Sequence, residues 1–131
     1  MSIIQVRTDP DPYEPYLLSQ GVQVGNTLYI SGQAGYGGDG HIVKGDFRAQ
    51  GEQAFTNLER ALQAGGSSLK NVAKVTIFVT DMSHFAEVVE LRRKFFSKPY
   101  PADSIVEINA LYTPEAMIEI EAIAIIDVKL G

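Results

Sequence analysis

The stretch whose reading decides the fold is "VAKVTIFVTDM", residues 72–82. From Val72 to Thr80 its nearly continuous apolar and β-branched character predicts a central strand, buried on both faces. On either side the pattern changes to helical. Upstream, Phe47, Ala54, Phe55, Leu58, Ala61 and Leu62 form a stripe at i, i+3, i+4, i+7 over residues 47–64, with Arg48, Glu52, Glu59, Arg60 and Gln63 elsewhere on the wheel. Gly65-Gly66 ends that helix. Downstream, Asp81 or Ser83 can cap a second helix carrying Phe85, Val88, Leu91, Phe95 and Phe96, and Pro99 and Pro101 stop it.

Working outward, Val22–Val24 and Thr27–Ser31 read as hairpin strands around Gly25-Asn26, and "HIVKGD" (41–46) offers a third strand. Ser104–Ile108 and Met117–Val128 supply the last two. The order is βββαβαββ, an α+β fold with a mixed six-stranded sheet and both helices on one face. In the last strand, Met117, Glu119, Glu121, Ile123 and Ile125 alternate with Ile118, Ile120, Ala122, Ala124 and Ile126. Both sets are largely apolar. A sheet covered by helices on one side only needs a partner for the other, which predicts an oligomer.

The length of 131 residues fits one domain, 1–131, and the 45% hydrophobic, 21% charged composition is that of an ordinary soluble protein. With no cysteine, disulfides, thiol nucleophiles and thiolate metal sites are excluded. The N-terminus lacks the basic and apolar regions of a secretory signal, and no apolar run reaches the ~20 residues of a membrane span, so a cytoplasmic location without membrane partners is expected. A formal charge of −5 opposes nucleic-acid binding. Arg92-Arg93-Lys94 is read as a solvated basic face.

No nucleophile elbow, P-loop, zinc motif or calcium loop is present. "GYGGDG" (35–40) matches GxGxxG, but a strand-like His41-Ile42-Val43 follows where phosphate binding needs a helix N-terminus, so it reads as a turn. His41 and His84 lack ligand spacing and read as surface or capping residues. Glu119 and Glu121, two apart on a strand, project from one face about 7 Å apart. Each is either solvated and ion-paired, or a general acid/base with a raised pKa. Tyr16, and Ser31 beside Gly32, are either satisfied turn hydroxyls or groups that orient a small ligand.

Taken together, "LYISGQ", "NLERALQAGG", "NVAKVTIFVTDMSHF", "PYPADSIVEI" and "MIEIEAIA" resemble, in order, the successive signatures of the RidA/YjgF family, also called L-PSP or reactive-intermediate deaminases. The resemblance runs from about Tyr16 to Ala124. It implies a chorismate-mutase-like fold, a homotrimer with a central β-barrel, and small-molecule clefts between subunits. It also implies hydrolysis of 2-imino or enamine acids without metal or cofactor. Carried over residue by residue, Tyr16, Ser31, Gly32, Ile105, Asp103 and Arg92 would line the substrate site, with Asp103 favouring an amine or hydroxyl group, and Glu119 would position or activate water. The family's Pro-Ala-Arg-Ser reads Pro-Ala-Asp-Ser here, so Asp103 replaces the Arg that clamps the substrate carboxylate. Val89 and Arg92 stand where an Asn and a Tyr are usual.

Losing a bidentate clamp costs about 1.5–3 kcal/mol. A carboxylate ~4 Å from the substrate's own adds up to ~4 kcal/mol of repulsion. The sum, about 6 kcal/mol, is about four orders of magnitude in affinity. Arg92 could restore the clamp from the second helix, but an Arg beside an apolar stripe is expected to snorkel to water. The chain is therefore expected to bind a small metabolite other than the usual 2-imino acids, and either hydrolyses an imine or enamine or binds without turnover. An endoribonuclease ranks last, given the acidic charge.

Overall fold

The computed structural model describes residues 2–126. It contains six strands, β1 (Ile3–Val6), β2 (Gly21–Val24), β3 (Thr27–Ala34), β4 (Val72–Val79), β5 (Ala102–Glu107) and β6 (Ile118–Ile125). Two long helices, α1 (Phe47–Ala64) and α2 (Phe85–Phe95), separate β3 from β4 and β4 from β5. The strands form one mixed sheet in the order β1-β2-β3-β6-β4-β5, with β4 and β5 parallel and the other pairs antiparallel.

The expected element string is present, but one strand differs in identity. The expected third strand at "HIVKGD" is reduced to a single bridge between Tyr36 and Ile42. Chain length explains this. Only three residues separate Ile42 from Asp46, whose side chain already accepts the Ala49 N–H at 3.0 Å to cap α1. The glycine-rich segment is a turn, closed by Gly37 N–H to His41 O at 2.8 Å and Gly40 N–H to Gly37 O at 3.0 Å. The sixth strand is instead β1, which pairs with β2. Of the last expected strand, Asp127 and Val128 lie outside the described residues.

One face of the sheet carries the core. Leu28, Val75, Ile77, Ile118, Ile120 and Ala124 are buried there against Phe55, Leu58 and Leu62 of α1 and Val88 and Leu91 of α2. The predicted burial of residues 72–80 on both sides is not met. Val75, Ile77 and Val79 are buried, while the alternate residues Lys74, Thr76 and Phe78 are only half-buried, because no element among the described residues covers the second face. On that face Tyr29, Val106, Ile123 and Ile125 are 37–45% exposed. No helix among the described residues is long and apolar enough to cross a membrane.

Candidate functional site

Glu119 follows Ile118 in β6 and precedes Ile120, both fully buried on the helix side. Strand alternation therefore turns Glu119 to the opposite face, beside Phe78 of β4. A β-bulge in β3 determines what lies over it. The register passes from Ile30↔Ala122 to Gln33↔Ile120, so three steps along β3 match two along β6 around Ser31 and Gly32. Gly32 is thereby pressed against the glutamate. A Cβ there would stand 2.5 Å from Glu119 Oε1, so only glycine leaves the carboxylate in place.

The start of β6 is fixed from the helix side. Buried Gln50 of α1 donates to Glu115 O at 2.8 Å and accepts from Met117 N–H at 2.9 Å. Buried Asn57 donates to Ala34 O at 2.8 Å and Tyr36 O at 2.9 Å, holding the chain as it leaves β3. The Tyr36 hydroxyl then donates to Gln33 Oε1 at 2.6 Å, and Tyr13 O–H donates to Gly32 O.

These anchors define a cavity of about 430 Å³ floored by Gly32 and Glu119 and walled by Tyr13, Tyr16, Tyr36 and Tyr112. It is of a size for a small metabolite. Burial, and then the nearby Glu121 carboxylate, raise the Glu119 pKa above its ordinary value. Burial likewise pushes the Tyr13, Tyr36 and Tyr112 phenols up, so they stay protonated at neutral pH. A carboxylate whose proton affinity is raised in this way can take a proton from a water molecule and return it to a leaving group.

Asp103 and Arg92 are elsewhere. Asp103 aligns with buried Val75 and so points to the helix side of β5. There Arg92 of α2 meets it in a bidentate pair, Nε to Oδ2 at 2.9 Å and Nη2 to Oδ1 at 3.0 Å. The expectation that Arg92 snorkels to water is thus corrected. A carboxylate within reach of the helix offers two charged hydrogen bonds, which outweigh solvation of a side chain that is only 24% exposed. The pair lines a separate hollow of about 220 Å³ with Phe96, Tyr100 and Pro101, and the two hollows have no lining residue in common.

Of the other residues singled out in the sequence, Tyr16 and Gly32 line the Glu119 cavity. The Ser31 hydroxyl is committed to Ser19 O at 2.6 Å. Ile105 lies opposite Ile77 and packs on the core. His84 stacks on Phe47 at 4.2 Å, and no group of three metal-ligating side chains occurs among the described residues. Sequence reasoning missed Tyr13, Tyr36 and Tyr112. Their one shared signal is a position among Pro and Gly residues, which places aromatic rings on turns but does not say that they converge.

Comparison with known proteins agrees with this architecture. Residues 6–126 match the family model described as Endoribonuclease L-PSP. A 2-iminobutanoate/2-iminopropanoate deaminase of Dermatophagoides farinae is 39% identical over 95% of this chain and 96% of its own. The crystal structure of RidA from an Antarctic Psychrobacter superposes with a TM-score of 0.85 at 40% identity, covering 93% of this chain and 98% of that one. The YjgF gene product of E. coli gives 0.83 at 32%, covering 92% and 97%. With its bulged third strand, helix-backed mixed sheet and near-complete coverage of these relatives, the chain belongs to the RidA/YjgF family.

Proposed function

We propose that the chain binds a small metabolite in clefts between copies of a homotrimer and hydrolyses there an imine or enamine other than the usual 2-imino acids. The observation that carries this reading is the half-buried Glu119 carboxylate, facing an aromatic cavity beneath Gly32 with no partner among the described residues. Glu119 would deprotonate a water molecule as its oxygen adds to the C=N carbon. The nitrogen takes that proton to give a carbinolamine; the hydroxyl proton then passes through Glu119 to the nitrogen as the C–N bond breaks, and the carbonyl compound and ammonia leave. Imine plus water balances to carbonyl plus ammonia, without redox chemistry. Relatives named as 2-iminobutanoate/2-iminopropanoate deaminases support the reaction class.

The trimer is supported by the uncovered face around Tyr29, Val106, Ile123 and Ile125. It is also supported by the separation within one chain of the Glu119 cavity from the hollow of Arg92 and Asp103. A second copy could bring the two together.

The altered substrate rests on Asp103, though its effect is smaller than the sequence suggested. Because Arg92 holds Asp103 bidentately, the pair carries little net charge, and the expected repulsion of ~4 kcal/mol largely disappears. What remains is the lost clamp, about 1.5–3 kcal/mol, or roughly 10–100-fold in affinity.

The test is ammonia release from imines generated in solution, with wild type and Glu119→Gln. Turnover that disappears in the variant is expected. Undiminished turnover would remove Glu119 from the mechanism. The same neutralised pair favours a second reading, a ligand-binding protein without turnover, which predicts a ligand that stabilises the protein and is recovered unchanged. Endoribonuclease action remains last, since a charge of −5 opposes phosphate binding.

A further inference from the structure

The walls of the Glu119 cavity are specific about charge. Glu119 is the only charged residue lining it, and it makes no hydrogen bond or ion pair among the described residues. A second carboxylate, Glu121, follows two positions later on the same face. Within one chain no Lys or Arg among the described residues lines the cavity, and the Arg92 that a second copy could bring to it has its charge met by Asp103. Arg60, in an adjoining hollow, donates to Asn57 at 3.2 Å. Two of the four phenols oppose an anion as well: the protons of Tyr13 and Tyr36 are committed to Gly32 O and Gln33 Oε1, so these two hydroxyls offer the cavity lone pairs rather than donors. Asp39 and Glu115 line the adjoining hollow that shares Tyr16 and Tyr112 with the cavity, and His41 is the one basic side chain in its described lining.

An electron-rich aromatic box with a single unpaired carboxylate at its floor is the arrangement that recognises an organic cation. Resting on the reading of this cavity as the ligand site, we propose that it binds its ligand through a cationic nitrogen. An ammonium or iminium group would sit against Glu119, beside the Tyr13 and Tyr36 rings, which pack edge to face on each other at 5.8 Å and form one wall. The substrate class is then a protonated imine or amine with a small uncharged body. Attraction by Glu119 also favours the protonated form of a C=N group, which water attacks more readily than the neutral imine.

Two isosteric probes test this without any chemistry at nitrogen: choline, and 3,3-dimethylbutan-1-ol, in which carbon replaces the quaternary nitrogen. By titration calorimetry, choline should bind wild type at least about tenfold more tightly than the alcohol, and Glu119→Gln should abolish the difference. Equal affinities, binding of neither probe, or a preference that survives in Glu119→Gln would each overturn the cation site. The wild-type comparison needs no variant to fold. Choline cannot be hydrolysed as an imine can, so the outcomes separate. Choline selectivity without imine turnover leaves the cation site standing and refutes catalysis. Imine turnover without choline selectivity does the reverse.

Discussion

Glu119 and Asp103 are both carboxylates on strands of one sheet, yet they stand in opposite circumstances. Asp103, 17% exposed, is held by two charged hydrogen bonds from Arg92. Glu119 is half-buried among tyrosines with no partner among the described residues, and its proton affinity is raised. A paired charge has its interaction satisfied within the fold. An unpaired charge leaves its interaction available to a ligand. Under the proposed function, the difference makes Asp103 and Arg92 shaping residues and Glu119 the reactive one.

The contrast breaks most visibly at Glu119. Glu119→Gln should lower turnover by about 10²–10⁴-fold, the usual contribution of a general base. It should leave the melting temperature unchanged or raised, because no partner is orphaned. Turnover with imines and a thermal melt measure the two halves. A large drop in melting temperature would mean that Glu119 is structural.

Arg92→Ala should do the reverse. It strands Asp103 on the helix side and should destabilise the fold by about 1–3 kcal/mol, read from denaturant midpoints. Replacing both partners by apolar residues, Arg92→Met with Asp103→Leu, should recover most of that loss. If Arg92→Ala costs nothing, the pair is not formed in solution.

Gly32→Ala is smaller and more local. Its Cβ would meet Glu119 Oε1 at 2.5 Å and turn the carboxylate aside. Ligand affinity should fall about tenfold, roughly 1.4 kcal/mol, with little change in stability, since Gly32 does not have a positive φ.

The smallest effect is on pH. The Glu119 pKa is raised in the fold above its ordinary value of 4.5, so the protonated form is favoured. Its stabilising contribution is present below 4.5 and is lost as pH rises through the folded value. Wild type should therefore lose stability relative to Glu119→Gln across that interval, which melts at graded pH would show. The acid limb of the turnover profile should lie above 4.5 for the same reason.

How far the sequence discloses this molecule depends on how local each cause is. The bounds of α1 were legible because stripe, cap and terminating glycine lie within one segment, and Glu119 was legible from the two-residue period of β6. β1 was not. Ile3 and Ile4 are both exposed, so no alternation marks it, and it is a strand because β2 offers an edge. The bulge at Ser31–Gly32 was invisible for a similar reason, being a relation between two strands. So was the Arg92–Asp103 pair, which spans 11 positions between a helix and a strand, where no spacing rule reaches. The tyrosine box converges from three distant turns, and only the fold assembles it.

The most direct measurement of the central claim compares kcat/KM for ammonia release from 2-iminobutanoate and from an uncharged-body imine of the same size, with wild type and Glu119→Gln. The account predicts that wild type prefers the imine lacking a carboxylate and that Glu119→Gln loses activity on both. Preference for 2-iminobutanoate, or undiminished activity in Glu119→Gln, would contradict it.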